Sequence, residues 1–249
     1  MRLDLFLSEN GFCRSRNAAQ SVIASGGVCV NGKPVLKPSC NVQEQDEVTI
    51  ADSSKPKYVG RGGLKLEKAL EYFAFDLSGK ICVDIGASTG GFTDCMIQNG
   101  AAKVFAIDVG RDQLDSSLKC DKRVISLEQT DIRDFDFSDY ESVCDKADFI
   151  GTDVSFISLK LVLPHIYRLL KVGCYAVALI KPQFEVGKSK LSKNGIVRSE
   201  KARYECVEDI KNFAIQSGFD VVGVVCSPIL GGSGNEEFLL GLMKKEGQV

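Results

Sequence analysis

The strongest constraint on the fold is an apolar segment, residues 81–85, that leads directly into a glycine-rich turn at residues 86–91. Asp84 stands near the end of this segment, and a second apolar segment further along the chain ends in Asp108. Glycines permit a tight turn and the close approach of a ligand to the backbone, and a carboxylate after the next strand can bind ribose hydroxyls. This order of features is typical of a nucleoside-binding site in an α/β sheet.

The glycine turn by itself is compatible with more than one ligand. Its spacing is not GxGxxG, and an acid precedes Gly86, which is more typical of an S-adenosylmethionine site than of a dinucleotide site. An NAD site and a turn with a purely structural role are the alternatives at this point.

From about residue 62 onward the chain alternates between strand-like and helix-like segments. This alternation predicts a mainly parallel sheet that is covered by helices on both faces. The predicted strands lie at 81–85, 103–107, 124–127, 149–153, 175–180, 221–225 and 238–243, and the predicted helices at 63–74, 91–99, 158–171 and 199–217.

The amino-terminal part of the chain predicts a smaller α+β module. Two short helices are expected before Gly26, and Ser15 is placed to cap the second of them. An Asn31-Gly32 turn then joins two short strands. A polar stretch with a proline suggests a linker. We predict domains at residues 1–54 and 62–249, with a linker at 55–61.

Several classes of protein are excluded by composition. The 249 residues carry a net charge of −2, no apolar run is long enough to cross a membrane, and acids interrupt the first apolar stretch, unlike a signal peptide. Ten cysteines with one histidine and no CxxC pair favour neither a zinc site nor a disulfide framework. We expect buried, reduced thiols, no metal ion, no membrane partner and a cytoplasmic location.

Charge is nevertheless uneven along the chain. Residues 55–68 and 181–203 are rich in lysine and arginine, whereas residues 121–153 are acidic. The two basic stretches could form one phosphate-binding surface after folding, or they could simply be solvated faces.

Charged residues also stand next to three later strand-like segments. Asp153 ends one of them, where it either projects into a ligand crevice or caps the following helix. Lys181 ends the next, and a lysine buried there requires a carboxylate neighbour or a function. Glu236 and Glu237 directly precede the last segment, and Arg61 belongs to a Gly-rich basic stretch that could be only a linker.

Five motifs occur in order along the chain. They are Arg61-Gly62-Gly63-Leu64-Lys65-Leu66, Asp84-Ile85-Gly86-Ala87-Ser88-Thr89-Gly90-Gly91-Phe92-Thr93, Asp153-Val154-Ser155-Phe156-Ile157-Ser158, Lys181-Pro182-Gln183-Phe184-Glu185 and Gly234-Asn235-Glu236-Glu237-Phe238. In these motifs the chain resembles the TlyA family, also labelled hemolysin A, and the resemblance covers essentially its whole length. The resemblance implies an S4-type RNA-binding domain joined to an FtsJ-like domain. It also implies an α/β, Rossmann-like class I methyltransferase fold with seven mostly parallel strands.

The same resemblance implies roles for individual residues. The catalytic set it implies is Lys65, Asp153, Lys181 and Glu237, with Glu237 rather than Glu236 chosen because it directly precedes the aromatic residue. The residues expected to hold S-adenosylmethionine are Asp84, Gly86, Ala87, Ser88, Thr89, Gly90, Gly91, Phe92, Asp108, Asp131 and Ile132. The residues expected to contact RNA are Arg14, Arg16, Lys33, Lys57, Arg61, Lys188, Lys190, Lys193 and Arg198.

The function implied is S-adenosylmethionine-dependent 2′-O-methylation of a ribose in ribosomal RNA. A cytidine in the large-subunit RNA is the expected target, and ribosomal RNA or a ribosomal subunit is the expected partner. Three alternatives belong to other classes: a catalytically silent RNA- or ribosome-binding factor, a membrane-active hemolysin, and a small-molecule methyltransferase.

Overall fold

The structure is a computed structural model that describes residues 1–13, 15–51 and 56–246. Its chain divides into two compact units, Met1–Val59 and Gly60–Val249. Each unit has a core of its own, and we consider the two units separately.

The first unit packs two short helices against a small antiparallel sheet. Ser15 accepts a hydrogen bond from the main-chain N–H of Ala18 and so caps the second helix. Asn31 and Gly32 both have positive φ angles, 51° and 74°, as a tight hairpin turn requires. The elements are α1 (Leu3–Glu9), α2 (Arg16–Ala24), β1 (Val28–Val30), β2 (Lys33–Pro34) and β3 (Val48–Ile50), with strand order β2-β1-β3.

The second unit is a seven-stranded sheet with helices on both faces. Its strands are β4 (Ile81–Ile85), β5 (Lys103–Asp108), β6 (Val124–Glu128), β7 (Ala147–Thr152), β8 (Leu170–Ile180), β9 (Phe219–Cys226) and β10 (Phe238–Lys244). Its helices are α3 (Gly62–Phe73), α4 (Gly91–Gln98), α5 (Ser116–Lys119), α6 (Leu163–Leu169), α7 (Pro182–Glu185) and α8 (Glu200–Gln216), with short 3-10 helices at Ser138–Tyr140, Leu159–Leu161 and Lys188–Lys190.

The strand order β6-β5-β4-β7-β8-β10-β9 explains where a ligand can bind. Strands β4 to β8 run parallel, whereas β10 is antiparallel to both of its neighbours. The order reverses beside β4, because β5 lies on one side of it and β7 on the other. A crevice opens at such a reversal, outside the carboxyl ends of the strands. The predicted α/β, Rossmann-like class is confirmed.

The structure differs from the sequence prediction in one helix. The helix expected at 158–171 is a 3-10 turn, Leu159–Leu161, followed by the shorter α6, and residues from Leu170 onward already belong to β8. Pro164 lies in the first turn of α6, where it needs no N–H partner, and this position favours a helix start there.

Two exposed thiols correct the expectation that the cysteines are buried. Cys120 and Cys226 are exposed, and Cys29, Cys40 and Cys174 are only partly buried. Within the described ranges, no helix is long and apolar enough to cross a membrane, and no three His, Cys, Asp or Glu side chains form a group that could hold a metal ion.

Candidate active site

Five charged side chains meet at one edge of the large sheet. Asp84 and Asp108 lie at the ends of β4 and β5, and Asp153 and Lys181 directly follow β7 and β8. Glu237 reaches the same edge from the opposite direction, because β10 is antiparallel and its first residue, Phe238, pairs with Ile180 at the end of β8. The topology therefore assembles residues that are far apart in the sequence.

Three of these charges, Asp153, Lys181 and Glu237, form a chain with Lys65 in which the signs alternate. Lys65 Nζ, on α3, lies 2.7 Å from Glu237 Oε2 and 3.5 Å from Asp153 Oδ2. Lys181 Nζ lies 2.6 Å from Asp153 Oδ1. Lys65, Lys181 and Glu237 are all more than nine-tenths buried. Buried charges are tolerated when they are paired, so the removal of any one member leaves its neighbour uncompensated.

Lys181 is held by two oxygens and faces an open cavity. Its Nζ donates a hydrogen bond of 2.8 Å to Ser155 Oγ, in addition to the contact with Asp153, and it lies 5.9 Å from the ring centroid of Phe184. One hydrogen bond and one ion-pair contact therefore lie on the protein side of this nitrogen. The cavity, of about 250 Å³, is lined by Arg61, Gly62, Lys65, Gly86, Ala87, Ser88, Thr89, Gly91, Phe92, Asp153, Ser155 and Lys181.

Asp84 is fully buried at the end of β4. One carboxylate oxygen, Oδ2, accepts hydrogen bonds from both the N–H (2.8 Å) and the hydroxyl (2.6 Å) of Thr93, whereas Oδ1 has no partner among the described residues. Burial raises the pKa of Asp84 to about 7, and the nearby charges of Asp153 and Asp108 act in the same direction. A buried acceptor without a donor is a place where a bound cationic group would be favourable.

The glycine turn after Asp84 packs too closely against the segment after β7 for a side chain at Gly86. Gly86 has a φ angle of 83°, and a Cβ atom there would lie 2.9 Å from the main-chain oxygen of Asp153. Ser88 also has a positive φ angle, 47°, and its N–H donates a 2.7 Å hydrogen bond to Asp108 Oδ2. The other oxygen of Asp108 accepts from the N–H of Gly110 at 2.7 Å. Two backbone donors therefore hold the Asp108 carboxylate at the rim of the turn.

The structure brings most of the residues expected to hold the cofactor to this turn, but not all of them. The carboxylate of Asp131 is bound on both oxygens by Arg133, at 3.0 and 2.6 Å, and Ile132 is buried in the apolar core. Neither residue belongs to the lining of the cavity in the described part of the chain.

The residues expected to contact RNA lie in both units. In the first unit, Arg16 is half-exposed and pairs with the buried Asp4 at 2.9 Å, and Lys33 and Lys57 are exposed. Asp4 also pairs with Arg2, and these contacts hold the pKa of that carboxyl well below its usual range. Arg14 lies outside the described residues.

In the second unit, the expected RNA contacts stand beside the cavity and after α7. Arg61 is exposed at the lining of the cavity, and Lys190, Lys193 and Arg198 are exposed along the segment between α7 and α8. Lys190 lies 3.4 Å from Glu205, so its charge is already partly compensated. The side chain of Lys188 lies outside the described part.

Several residues at the site were not found from the sequence. Phe156 is 89% exposed and has a φ angle of 65°, which is strained for an aromatic residue. Its ring lies 5.0 Å from that of Phe184, beside Lys181. Ser155 and Gln183 contact Lys181 and Glu237, respectively. Their positions could have indicated them, because all of these residues lie in the short segments that follow a strand end with a charged residue.

The strand order, the single antiparallel strand and the acids around a glycine turn together define a class I, Rossmann-like methyltransferase fold. Residues 58–244 match the FtsJ-like methyltransferase family, and residues 1–48 match the S4 domain. The chain belongs to the TlyA family, in which these two domains are joined, and the resemblance noted in the sequence is confirmed.

Two curated relatives and one solved structure are similar along nearly the whole chain. The 16S/23S rRNA (cytidine-2′-O)-methyltransferase TlyA of Mycobacterium tuberculosis is 40% identical over 97% of this chain and 89% of its own length. The 23S rRNA (cytidine-2′-O)-methyltransferase TlyA of Campylobacter jejuni is 35% identical over 96% of this chain and 97% of its own. A structure from Streptococcus thermophilus that carries a hemolysin name is 42% identical, with a TM-score of 0.77, and the match covers 99% of this chain and 89% of that one.

Proposed function

We propose that this chain is an S-adenosylmethionine-dependent methyltransferase that modifies a ribose 2′-hydroxyl in ribosomal RNA. The observation that carries the proposal is the buried chain Glu237–Lys65–Asp153–Lys181, which ends at a cavity beside the glycine turn. In this proposal residues 1–54 bind RNA, residues 55–61 link the domains, and residues 62–249 catalyse the transfer.

The residues around the glycine turn fit S-adenosylmethionine. The unpartnered oxygen of Asp84 can accept a hydrogen bond from an ammonium group, and Gly86, two residues further on, lines the cavity. The carboxylate of Asp108 would bind the two ribose hydroxyls of the cofactor. When bound, this cofactor supplies a methyl group on a positively charged sulfur, which is a strong electrophile.

Lys181 would serve as the general base for the ribose hydroxyl. In its neutral form, Lys181 Nζ would take the proton of the ribose hydroxyl as that oxygen accepts the methyl group. Ser155 accepts a hydrogen bond from Nζ and Asp153 Oδ1 lies 2.6 Å from it, and in the neutral amine the lone pair would face the cavity. Lys65 also pairs with Asp153 and is itself paired with Glu237. These two ion pairs keep the four charged side chains in fixed positions.

Phe156 would hold the base of the target nucleotide. An exposed aromatic side chain in a strained backbone conformation is costly, which suggests a function for Phe156. Its ring packs on that of Phe184, next to the general base Lys181. Unstacked bases of single-stranded or looped RNA are commonly bound by stacking on aromatic side chains. The ring is placed to do this within reach of Lys181.

The S4 domain and the exposed basic residues support ribosomal RNA as the partner. Shape and phosphate contacts would position such a domain on a folded RNA without reading its sequence. The names of both curated relatives include a cytidine of 23S rRNA, so we propose a cytidine in the large-subunit RNA as the target. We propose that the protein acts on this substrate in the cytoplasm.

The test is transfer of a labelled methyl group from S-adenosylmethionine to purified large and small ribosomal subunits and to naked ribosomal RNA. We expect label in large-subunit RNA, recovered after alkaline hydrolysis in a resistant dinucleotide, because a methylated 2′-oxygen cannot assist cleavage. Label in a base, or none in any RNA while the cofactor still binds, would contradict the proposal. The second outcome would favour a catalytically silent RNA-binding factor.

A further inference from the structure

The basic segment at residues 192–198 is a closed loop with a buried anchor. The N–H of Ser192 donates to the main-chain oxygen of Ile196 at 2.9 Å, and the N–H of Ile196 donates to Ser192 Oγ at 3.0 Å. Val197, next in the chain, is 2% exposed. Lys193 and Arg198 are exposed to solvent, whereas the main chain of the loop is fixed on its buried side.

The side chain that fixes this loop belongs to Asn235. Asn235 is only 1% exposed, and both ends of its amide are satisfied by the loop. Its Oδ1 accepts from the N–H of Val197 at 3.0 Å, and its Nδ2 donates to the main-chain oxygen of Gly195 at 3.0 Å. A buried amide that is fully hydrogen-bonded specifies one arrangement of the two segments, because any shift leaves buried polar groups unpaired.

Arg203 on α8 makes a second connection between the same segments. Its guanidinium donates to the main-chain oxygens of Val197 (2.9 Å) and Arg198 (3.1 Å), and its Nε lies 2.7 Å from Glu236 Oε2. Arginine can hold a carbonyl and a carboxylate at once because its donors are fixed in one plane.

The other end of this connection is the catalytic carboxylate. Asn235 and Glu236 directly precede Glu237, whose main-chain oxygen accepts from the N–H of Ser227 at 2.9 Å. The N–H of Gly231 donates to the main-chain oxygen of Asn235 at 2.9 Å and closes the intervening turn. A short segment with a hydrogen-bonded main chain therefore connects the Asn235 amide, which holds the basic loop, to the Glu237 carboxylate, which holds Lys65.

We propose that Asn235 and Arg203 are positioning residues that couple the basic loop 192–198 to Glu237. Contact of RNA with Lys193 and Arg198 would then fix the loop and, through Asn235, hold Glu237 against Lys65 and keep the catalytic chain in order. The inference rests on the function proposed above and adds to it the residues through which substrate binding reaches the catalytic amines.

A different role for Asn235 predicts a different kinetic result. If Asn235 only anchors a loop that binds RNA, its loss weakens RNA binding and leaves the rate at saturating RNA unchanged. If it positions Glu237, its loss lowers the rate at saturation as well. Its effect also disappears in a protein that already lacks the carboxylate, because residues that act through one another are not additive.

The experiment measures single-turnover methyl transfer at saturating cofactor and RNA for Asn235→Ala, Glu237→Gln and the double variant. Asn194→Ala, an exposed asparagine of the same loop, is the matched control. We expect Asn235→Ala to lose about tenfold or more in rate, the control to equal the wild type, and the double variant to equal Glu237→Gln alone. Calorimetric affinity for S-adenosylmethionine should stay unchanged in every protein.

A wild-type rate in Asn235→Ala at saturating RNA, or losses that multiply in the double variant, would overturn the inference while leaving the proposed function intact. Absence of transfer by the wild type would overturn both. If Asn235→Ala does not fold, Arg203→Lys provides the same test. It keeps a positive charge beside Glu236 but cannot reproduce the planar set of bonds to the loop, and an unchanged rate in that variant would equally refute the inference.

Discussion

Asp84→Asn provides a quantitative test of how the site is built. The wild-type carboxyl has an ordinary pKa of 3.8, and burial raises it to about 7 in the folded protein. A group with a raised folded-state pKa contributes stability that is fully present below its unfolded pKa and is lost as the pH rises through its folded pKa. The stability that protonated Asp84 contributes is therefore lost between pH 3.8 and about pH 7.

The substitution isolates this ionisation because it disturbs no hydrogen bond. Both Thr93 donors use the same oxygen, and the oxygen that Asn would replace with an amide nitrogen has no partner in the described structure. From about pH 5 to about pH 8 the wild type should lose roughly 3 kcal/mol of unfolding free energy that Asp84→Asn retains. Other titrating groups are shared by both proteins and cancel in the comparison.

The assay is urea unfolding followed by far-ultraviolet circular dichroism, since the chain has no tryptophan. Saturating S-adenosylmethionine should shrink the pH dependence of the wild type, because a bound cation favours the ionised carboxylate. Parallel stability curves for the two proteins across this pH range would refute the reasoning, since they would mean that Asp84 is not buried as an isolated acid.

Two further substitutions test the geometry around Lys65 and Lys181. Gly231→Ala places a Cβ atom against Glu237 Oε1, so we expect the carboxylate to be displaced and single-turnover transfer to fall about tenfold or more, with unchanged cofactor affinity. A wild-type rate would contradict the need for Glu237 at this position. Phe156→Ala should leave the melting temperature unchanged and lower kcat/KM for RNA by a factor of about 5 to 100. The exposed Tyr204→Ala serves as its control, and equal losses in both variants would exclude a specific stacking role.

The fold could be predicted from the sequence because its determinants are local. The segments 81–85 and 103–107 are apolar, end in acids and are followed by turn residues, so their assignment depends on near neighbours alone. The prediction of one helix at 158–171 was wrong because the local pattern of residues is ambiguous there. Leu169 and Leu170 are both fully buried apolar residues, yet the first ends a helix and the second begins a strand.

Without the family resemblance, the candidate site was predictable only at its strand ends. Asp153 and Lys181 can be located because residues after parallel strands share one edge of a sheet. Asn235 could not be assigned a role, since its amide contacts Gly195 and Val197, some forty residues away in the chain. Such contacts depend on how loops pack, and neither periodicity nor composition records them.

The central claim is that Lys181 takes the ribose proton at a site that also binds S-adenosylmethionine. The most direct test is single-turnover methyl transfer to large-subunit RNA by Lys181→Met, together with its calorimetric affinity for the cofactor. Lys211→Met, which removes a lysine that is paired with Glu208 on α8, is the matched control. We expect a loss of about 10² to 10⁴ in rate for Lys181→Met, a wild-type rate for Lys211→Met and unchanged cofactor affinity in both. A rate for Lys181→Met close to that of the wild type would contradict it.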